Sequence, residues 1–199
     1  IPPLLEDSSP YVAGFLIWLL PTIVTVSAMS FLDRYAWLRS APQITVGLRV
    51  AGLVMLMAGG WWSAFERHAG RLLAYAAIAQ TGFVLLALGL ATSVSSTVTF
   101  LLMLPSGLTM VLWALSLSIL RRGEPSLQLA SMHGLGRSYP FAAAGVVLAA
   151  LSSAGFPLLG GFPGRLALWE GLSAQFPAGM VWYLLGLLGL LVGAVRQLA

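Results

Sequence analysis

Arg165 closes a stretch, SSAGFPLLGGFPGR (Ser152–Arg165), that sets four glycines and two prolines inside an otherwise apolar run. A guanidinium beside a broken helix can hold a fixed positive charge, orient water or draw a carboxylate towards it. It does not hand a proton on, because arginine stays protonated under essentially all conditions. Lysine and histidine are the basic groups that relay protons, and this chain has ten arginines, two histidines and no lysine. Proline removes a backbone donor and breaks the helical ladder. In hydrocarbon such a break survives only when walled by protein or lining a wet cavity. Discontinuous helices mark ion or substrate sites in many transporters. The cluster Gly155, Pro157, Gly160, Gly161, Pro163 and Gly164 therefore reads as a functional break, the plainer alternative being a kink that fits neighbouring helices. Arg165 in contact with lipid would cost about 2.5–3.5 kcal/mol, so it must face protein or water. Trp169, at i+4, is spaced for a cation–π contact with it, whereas Glu170 points to a different face.

The elements that must position these residues are membrane spans. Hydrophobic residues make up 59% of the 199 and charged ones 8%, against roughly 25% charged in a soluble domain. Runs of about 20 apolar residues match a bilayer core of roughly 30 Å, which predicts an all-α polytopic membrane protein with about six transmembrane helices, one of them discontinuous. The alternating short segments of a β-barrel are absent. A single transmembrane domain over 1–199 is expected, with spans at about 11–32, 44–65, 72–92, 97–120, 139–169 (broken at 155–164) and 178–198. Residues 1–10 read as a loop, and both ends read as cuts through a longer protein. Six arginines (67, 71, 121, 122, 137 and 196) fall on the side of the N-terminal end and two (34 and 39) on the other. The positive-inside rule then makes the N-terminal side cytoplasmic. Trp37, Trp61, Trp62 and Tyr139 sit near span ends, as interfacial aromatics do.

The remaining polar residues carry less. A net charge of +4 reflects arginines at loops and helix ends, a matter of topology and not of nucleic-acid binding. With no cysteine, disulfides and thiolate-ligated metal centres are excluded from this chain. His68 and His133 are loop residues too far apart to suggest a shared metal. Arg49, a turn or two inside the second span, reads as a snorkelling side chain. Glu66, Arg67 and His68 read as a solvated turn. Gly52, Gly59, Gly82, Gly89, Gly186 and Gly189 suit close helix contacts. No nucleotide loop, catalytic triad or haem-ligand pair is apparent.

Three blocks carry a family resemblance. RLLAYAAIAQTGFVLLALGL (Arg71–Leu90) resembles the Lys-Arg-Leu-Leu-Ala-Tyr-Ser-Ser-Ile-x-His-x-Gly-Tyr stretch of the antiporter-like membrane subunits of respiratory complex I. HGLGRSYPFAAAGVVLAALSSAGFPLLGGFPGRLALWEG (His133–Gly171) resembles their Gly-Leu-Gly-Arg…Gly-Ile-Pro-Pro…Gly-Phe-x-Gly-Lys segment, and PPLLEDSSPYVAGFLIWLLPT (Pro2–Thr22) is similar to the approach to a helix with a central lysine. Order and spacing favour subunit N of the bacterial NADH:quinone oxidoreductase over its two sister pumps. The resemblance implies part of a fold of about fourteen helices in two inverted repeats, this chain supplying the eighth to thirteenth. It also implies proton translocation at a bacterial inner membrane, powered by redox centres and quinone in other subunits, so that no cofactor is expected in this chain. The implied partners are a sister antiporter-like subunit and small membrane subunits.

The departures from that pattern fall on its proton carriers. The family's central lysine aligns with Thr22, the lysine after the break with Arg165, its His or Gln with Gln80, and its paired serines with Ala76 and Ala77; a further lysine aligns with Gly70. A lysine in a semi-wet channel can hold or release a proton as its surroundings change; threonine supports water but stores no proton. The expectation is a half-channel that either does not pump or runs on water and hydroxyls alone. Lysine-to-arginine drift in an Arg-rich composition would account for Arg165 but not for Thr22. Two alternatives follow: a non-pumping scaffold of a membrane complex, or a subunit of a cation/proton antiporter or membrane hydrogenase built on the same fold.

Overall fold

The computed structural model describes residues 10–35, 37–38, 41–90, 95–123, 125–132 and 134–197. Arg39, His133, residues 1–9 and the expected span ends at 92 and 198 lie outside the described residues. The helices are α1 (Pro10–Arg34), α2 (Pro42–Phe65), α3 (Ala69–Leu88), α4 (Ser95–Leu120), a short α5 (Leu135–Ser138), α6 (Pro140–Ala154), α7 (Phe162–Gln175) and α8 (Met180–Val195), the last entered through a 3₁₀ turn at Pro177–Gly179. Five of them, α1 to α4 and α8 with its 3₁₀ turn, are long and apolar enough to cross a bilayer, and α6 is a shorter apolar helix. Together α6 and α7 make the discontinuous passage. The chain is an all-α, multi-pass membrane protein.

The break is shorter than its glycines and prolines suggest. Backbone irregularity occupies 155–161, while Pro163 and Gly164 lie in the first turn of α7. Proline is tolerated there because a first-turn N–H has no intrahelical acceptor anyway. The passage also extends past Trp169 to Gln175 before the chain turns.

Small residues set the helix spacing. A Cβ on Gly52 would meet the Gly82 carbonyl oxygen at 2.9 Å, and one on Gly59 the Tyr75 oxygen at 2.5 Å, so α2 and α3 touch backbone to backbone. Along the other side of α2, Gly60 meets Gly186, and Gly189 and Gly193 of α8 meet Gly60 and Ser63. Ser63 Oγ fastens this seam, donating to Gly60 O (2.7 Å) with Gly189 O at 3.2 Å. In lipid, helix association depends on such close contact because tails are as apolar as leucine.

Two arginines tie helix ends together, Arg49 against expectation. Arg49 does not snorkel: its Nε donates to Gly89 O (2.8 Å) just past α3 and its Nη2 to Gln175 Oε1 (2.5 Å) at the end of α7, with Phe176 5.9 Å from the guanidinium carbon. Arg196 Nη1 donates to Ala64 O (2.6 Å) and Glu66 O (3.2 Å) at the end of α2. Both satisfy carbonyls that a helix C-terminus leaves without partners, where the macrodipole also favours a cation. Arginine's planar fork reaches several such oxygens at once, which lysine's point charge does less well.

The 66–68 turn is solvated at Arg67, which is exposed, but covered at its far end. His68 is buried, and its Nδ1 accepts from Arg71 N (3.4 Å), capping α3. Ala69 N donates to Leu127 O (3.0 Å) and Leu129 N to Arg67 O (2.9 Å), so the segment after α4 folds back over the turn.

Candidate functional site

The site begins where α6 stops. Gly155 takes a left-handed conformation (φ +78°); its N–H bonds Ser152 O (3.1 Å) and Phe156 N–H bonds Leu151 O (3.0 Å). That paired arrangement ends a helix but leaves the carbonyl of Ser153 over. An unpaired carbonyl at membrane depth is expensive. Arg165, one turn into α7, supplies the missing donors: Nη2 donates to Ser153 O, and Nη1 to Ser152 O (2.8 Å) and Gly161 O (3.2 Å). Arg165 is buried, with its guanidinium carbon 4.6 Å from the Phe83 ring centroid. The expected cation–π partner was Trp169. Phe83 of α3 takes that place, and Trp169 instead packs edge-on against Tyr183 at 6.0 Å. Tyr183 also packs on Phe83 (5.6 Å), and its hydroxyl donates to Arg165 O (3.3 Å).

The glycines of the break have unequal duties. A side chain on Gly161 would collide with Ser152 O and stand 2.6 Å from Arg165 Nη1. One on Gly164 would meet Leu101 O at 2.9 Å, the carbonyl that Pro105 leaves without its helical donor. Gly160, by contrast, has room: its Cβ would make ordinary contact with Pro105 at 3.6 Å.

Gln80 stands beside this end of α6. Its Nε2 donates to Ser153 O (3.2 Å), so one carbonyl receives both the amide and the guanidinium. Its Oε1 lies 3.0 Å from Ser106 Oγ, which also lies 2.5 Å from Leu102 O and has one proton to share between them. Thr109 Oγ1 and Ser152 Oγ are 3.1 Å apart in the same layer.

Thr22 lies on the other side of Gln80. A cavity of about 40 Å³ separates α1, α3 and α4, lined on its polar parts by Thr22, Thr25, Gln80, Thr81 and Ser106. That volume suffices for at least one water, which needs about 10–15 Å³ and two to four polar partners. Thr22 Oγ1 donates to Trp18 O (2.7 Å). Ala77, one of the two alanines at the serine positions, also faces this cavity, whereas Ala76 is wholly buried. Between Gln80 and Arg165 the space lined by Ser106, Thr109, Ser152 and Gly161 is too tight for a water. The polar track is thus roomy from Thr22 to Gln80, and made of side chains alone from Gln80 to Arg165.

Sequence reasoning singled out Thr22, Gln80 and Arg165, and the fold brings all three onto this track. It missed Phe83, Ser106 and Thr109. One signal pointed to Ser106: Pro21-Thr22 and Pro105-Ser106 each set a hydroxyl directly after an in-helix proline, and both pairs flank Gln80.

Residues 6–192 match the family described as NADH:quinone oxidoreductase/Mrp antiporter, transmembrane. Subunit N of NADH-quinone oxidoreductase from Cutibacterium acnes is 40% identical over 142 residues, covering 64% of this chain and 26% of that protein. Subunit N from Acidithiobacillus ferrooxidans is 30% identical over 213 residues, covering 94% and 42%. The chain therefore spans less than half the length of these relatives. Among solved structures, a chain of respiratory complex I from Thermus thermophilus with bound NADH superposes with a TM-score of 0.71 at 24% identity, covering 78% of this chain and 33% of its own length. A chain of the membrane-bound sulfane sulfur reductase, an archaeal respiratory membrane complex, gives 0.68 at 20% identity, covering 78% and 32%. The fold is theirs in part.

Proposed function

The chain belongs to the NADH:quinone oxidoreductase/Mrp antiporter transmembrane family, and from that premise we propose that it forms one antiporter-like half-channel of a membrane-arm subunit in a complex I-like NADH:quinone oxidoreductase. Protons move along the track from Thr22 and its cavity to Gln80, and then through the Ser106, Thr109 and Ser152 hydroxyls towards Arg165. Arg165 serves as a fixed cation that keeps the end of α6 open and sets the electrostatic barrier. It carries no proton itself. Redox centres and quinone lie in partner subunits, and this chain holds no cofactor. The partners are a sister antiporter-like subunit and small membrane subunits, in a bacterial inner membrane with the N-terminal end of this chain on the cytoplasmic side. The observation that supports the reading best is the buried guanidinium sharing one broken-helix carbonyl with a buried glutamine.

A second reading has its own support. The hydrogen bonds of the Arg165 guanidinium go to backbone carbonyls, and the Thr22 hydroxyl is committed to Trp18 O. Such a site could stabilise a break inherited by a scaffold that moves no ions. A third assembly, a cation/proton antiporter or membrane hydrogenase, uses the same fold.

Affinity purification of the full-length protein from its own membranes separates the assemblies. The expected result is co-elution with a sister antiporter-like subunit and with NADH:quinone reductase activity. Recovery of the folded protein with antiporter or hydrogenase subunits, or with none of these, would overturn the assignment.

A further inference from the structure

We propose that the end of the bundle where α2, α4 and α8 finish binds the headgroup of an anionic phospholipid. A half-open cavity of about 900 Å³ lies there, between α6, α8 and the segment that follows α4. Arg67, Arg137 and Arg196 line it, together with Gln197. Its deeper wall is apolar, formed by Leu120, Met132, Val146 and Val147. Cations at the mouth and hydrocarbon below is the division that a phosphate headgroup with acyl chains requires. A soluble anion would make no use of the apolar wall. Basic pockets between transmembrane helices recognise anionic headgroups in this way.

Three further observations point to a ligand. The side-chain oxygen and nitrogen of Gln197 are buried at this cavity and have no hydrogen-bond partner among the described residues. Buried amide groups are ordinarily paired, so these atoms are left with unmet hydrogen-bonding capacity beside the cavity. Arg196 spends Nη1 on Ala64 and Glu66 carbonyls, and Arg137 is exposed on the four-residue α5. The acid nearest in sequence, Glu66, is itself engaged: its Oε1 accepts from Arg67 N (2.9 Å) and His68 N (3.1 Å), so it does not fill the cavity.

Gly136 gives a way to close the cavity without touching a charge. Among the described residues a Cβ there meets only Ala143, at 3.8 Å, so a large side chain has room to enter. The experiment uses the full-length protein in its native membrane complex, extracted in mild detergent, stripped of loose lipid and weighed by native mass spectrometry. It is offered phosphatidylglycerol, phosphatidylcholine or inorganic phosphate.

The wild type is expected to retain one more phosphatidylglycerol than the Arg67→Gln/Arg137→Gln variant. Gly136→Trp, with every charge in place, should lose the same lipid, while Arg34→Gln at the opposite end should not. Equal retention in the wild type and both cavity variants would overturn the proposal. So would retention of phosphatidylcholine as readily as phosphatidylglycerol, or displacement by inorganic phosphate at millimolar concentration, which would make it an anion site. A segment of the full-length chain found filling the cavity would overturn it equally.

Discussion

Replacing Arg165 by methionine is expected to destabilise the full-length protein by about 2–4 kcal/mol, read from thermal unfolding in detergent. Two opposing effects set this size. Hydrogen bonds from a charged donor contribute about 1.5–3 kcal/mol each, and Arg165 gives them to Ser152, Ser153 and Gly161. Against this, removing a buried cation recovers part of its desolvation cost. The loss is also buffered, because Ser152 O keeps the Gly155 N–H and Ser153 O keeps Gln80. That buffering makes the prediction sharper. Gln80→Leu alone should cost little, since Arg165 still reaches Ser153 O. The Arg165→Met/Gln80→Leu pair should cost more than the sum by about 1 kcal/mol or more, because the carbonyl then has no donor. Strict additivity would mean the two side chains do not share it. Arg165→Lys should fall between wild type and methionine, keeping the charge but losing the fork.

The sequence announces this break but not its surroundings. Gly155, Pro157 and Gly161 are legible because glycine and proline act on the backbone locally, whatever packs nearby. That Arg165 must be sheltered follows from the cost of a charge in lipid alone. What shelters it does not follow, since Phe83 and Gln80 arrive from a helix more than 70 residues away in sequence. The Trp169 contact failed for the same reason: i+4 spacing makes a contact available, and packing across helices decides whether it is used. Arg49 read as snorkelling because its depth alone suggests that; its partners Gly89 and Gln175 are tertiary neighbours. The small residues were more readable, because in a membrane helix close approach is their commonest use.

Those small residues carry the second large effect. Gly60→Val is expected to cost at or above about 3 kcal/mol, since overpacking a tight contact costs about 1–3 kcal/mol even where neighbours can yield. Here they cannot. A Cβ on Gly60 falls against the Gly186 carbonyl, with Gly186 C at 2.8 Å and Cα at 2.9 Å, all backbone. Relief requires α8 to move away from α2, and α8 carries Tyr183, which touches both Phe83 and the Arg165 carbonyl. Gly60→Val should therefore also loosen the break, visible as faster amide exchange at 152–165. Gly47→Val on the same helix has nothing within 4 Å among the described residues and should change stability by no more than about 0.5 kcal/mol. Equal unfolding temperatures for the two variants would mean the α2–α8 seam is looser than described.

Proton translocation by the reconstituted full-length complex tests the polar track most directly. Thr22→Val with Gln80→Leu leaves Arg165 and the break in place but makes apolar the side chains that join the cavity to the Ser106 and Ser152 hydroxyls. Proteoliposomes carrying this variant should pump fewer protons per NADH oxidised than wild type, while NADH oxidation measured with an uncoupler is retained. An unchanged ratio of protons to NADH, with the complex fully assembled, would mean that nothing travels past Gln80 and that the fold serves there as a scaffold.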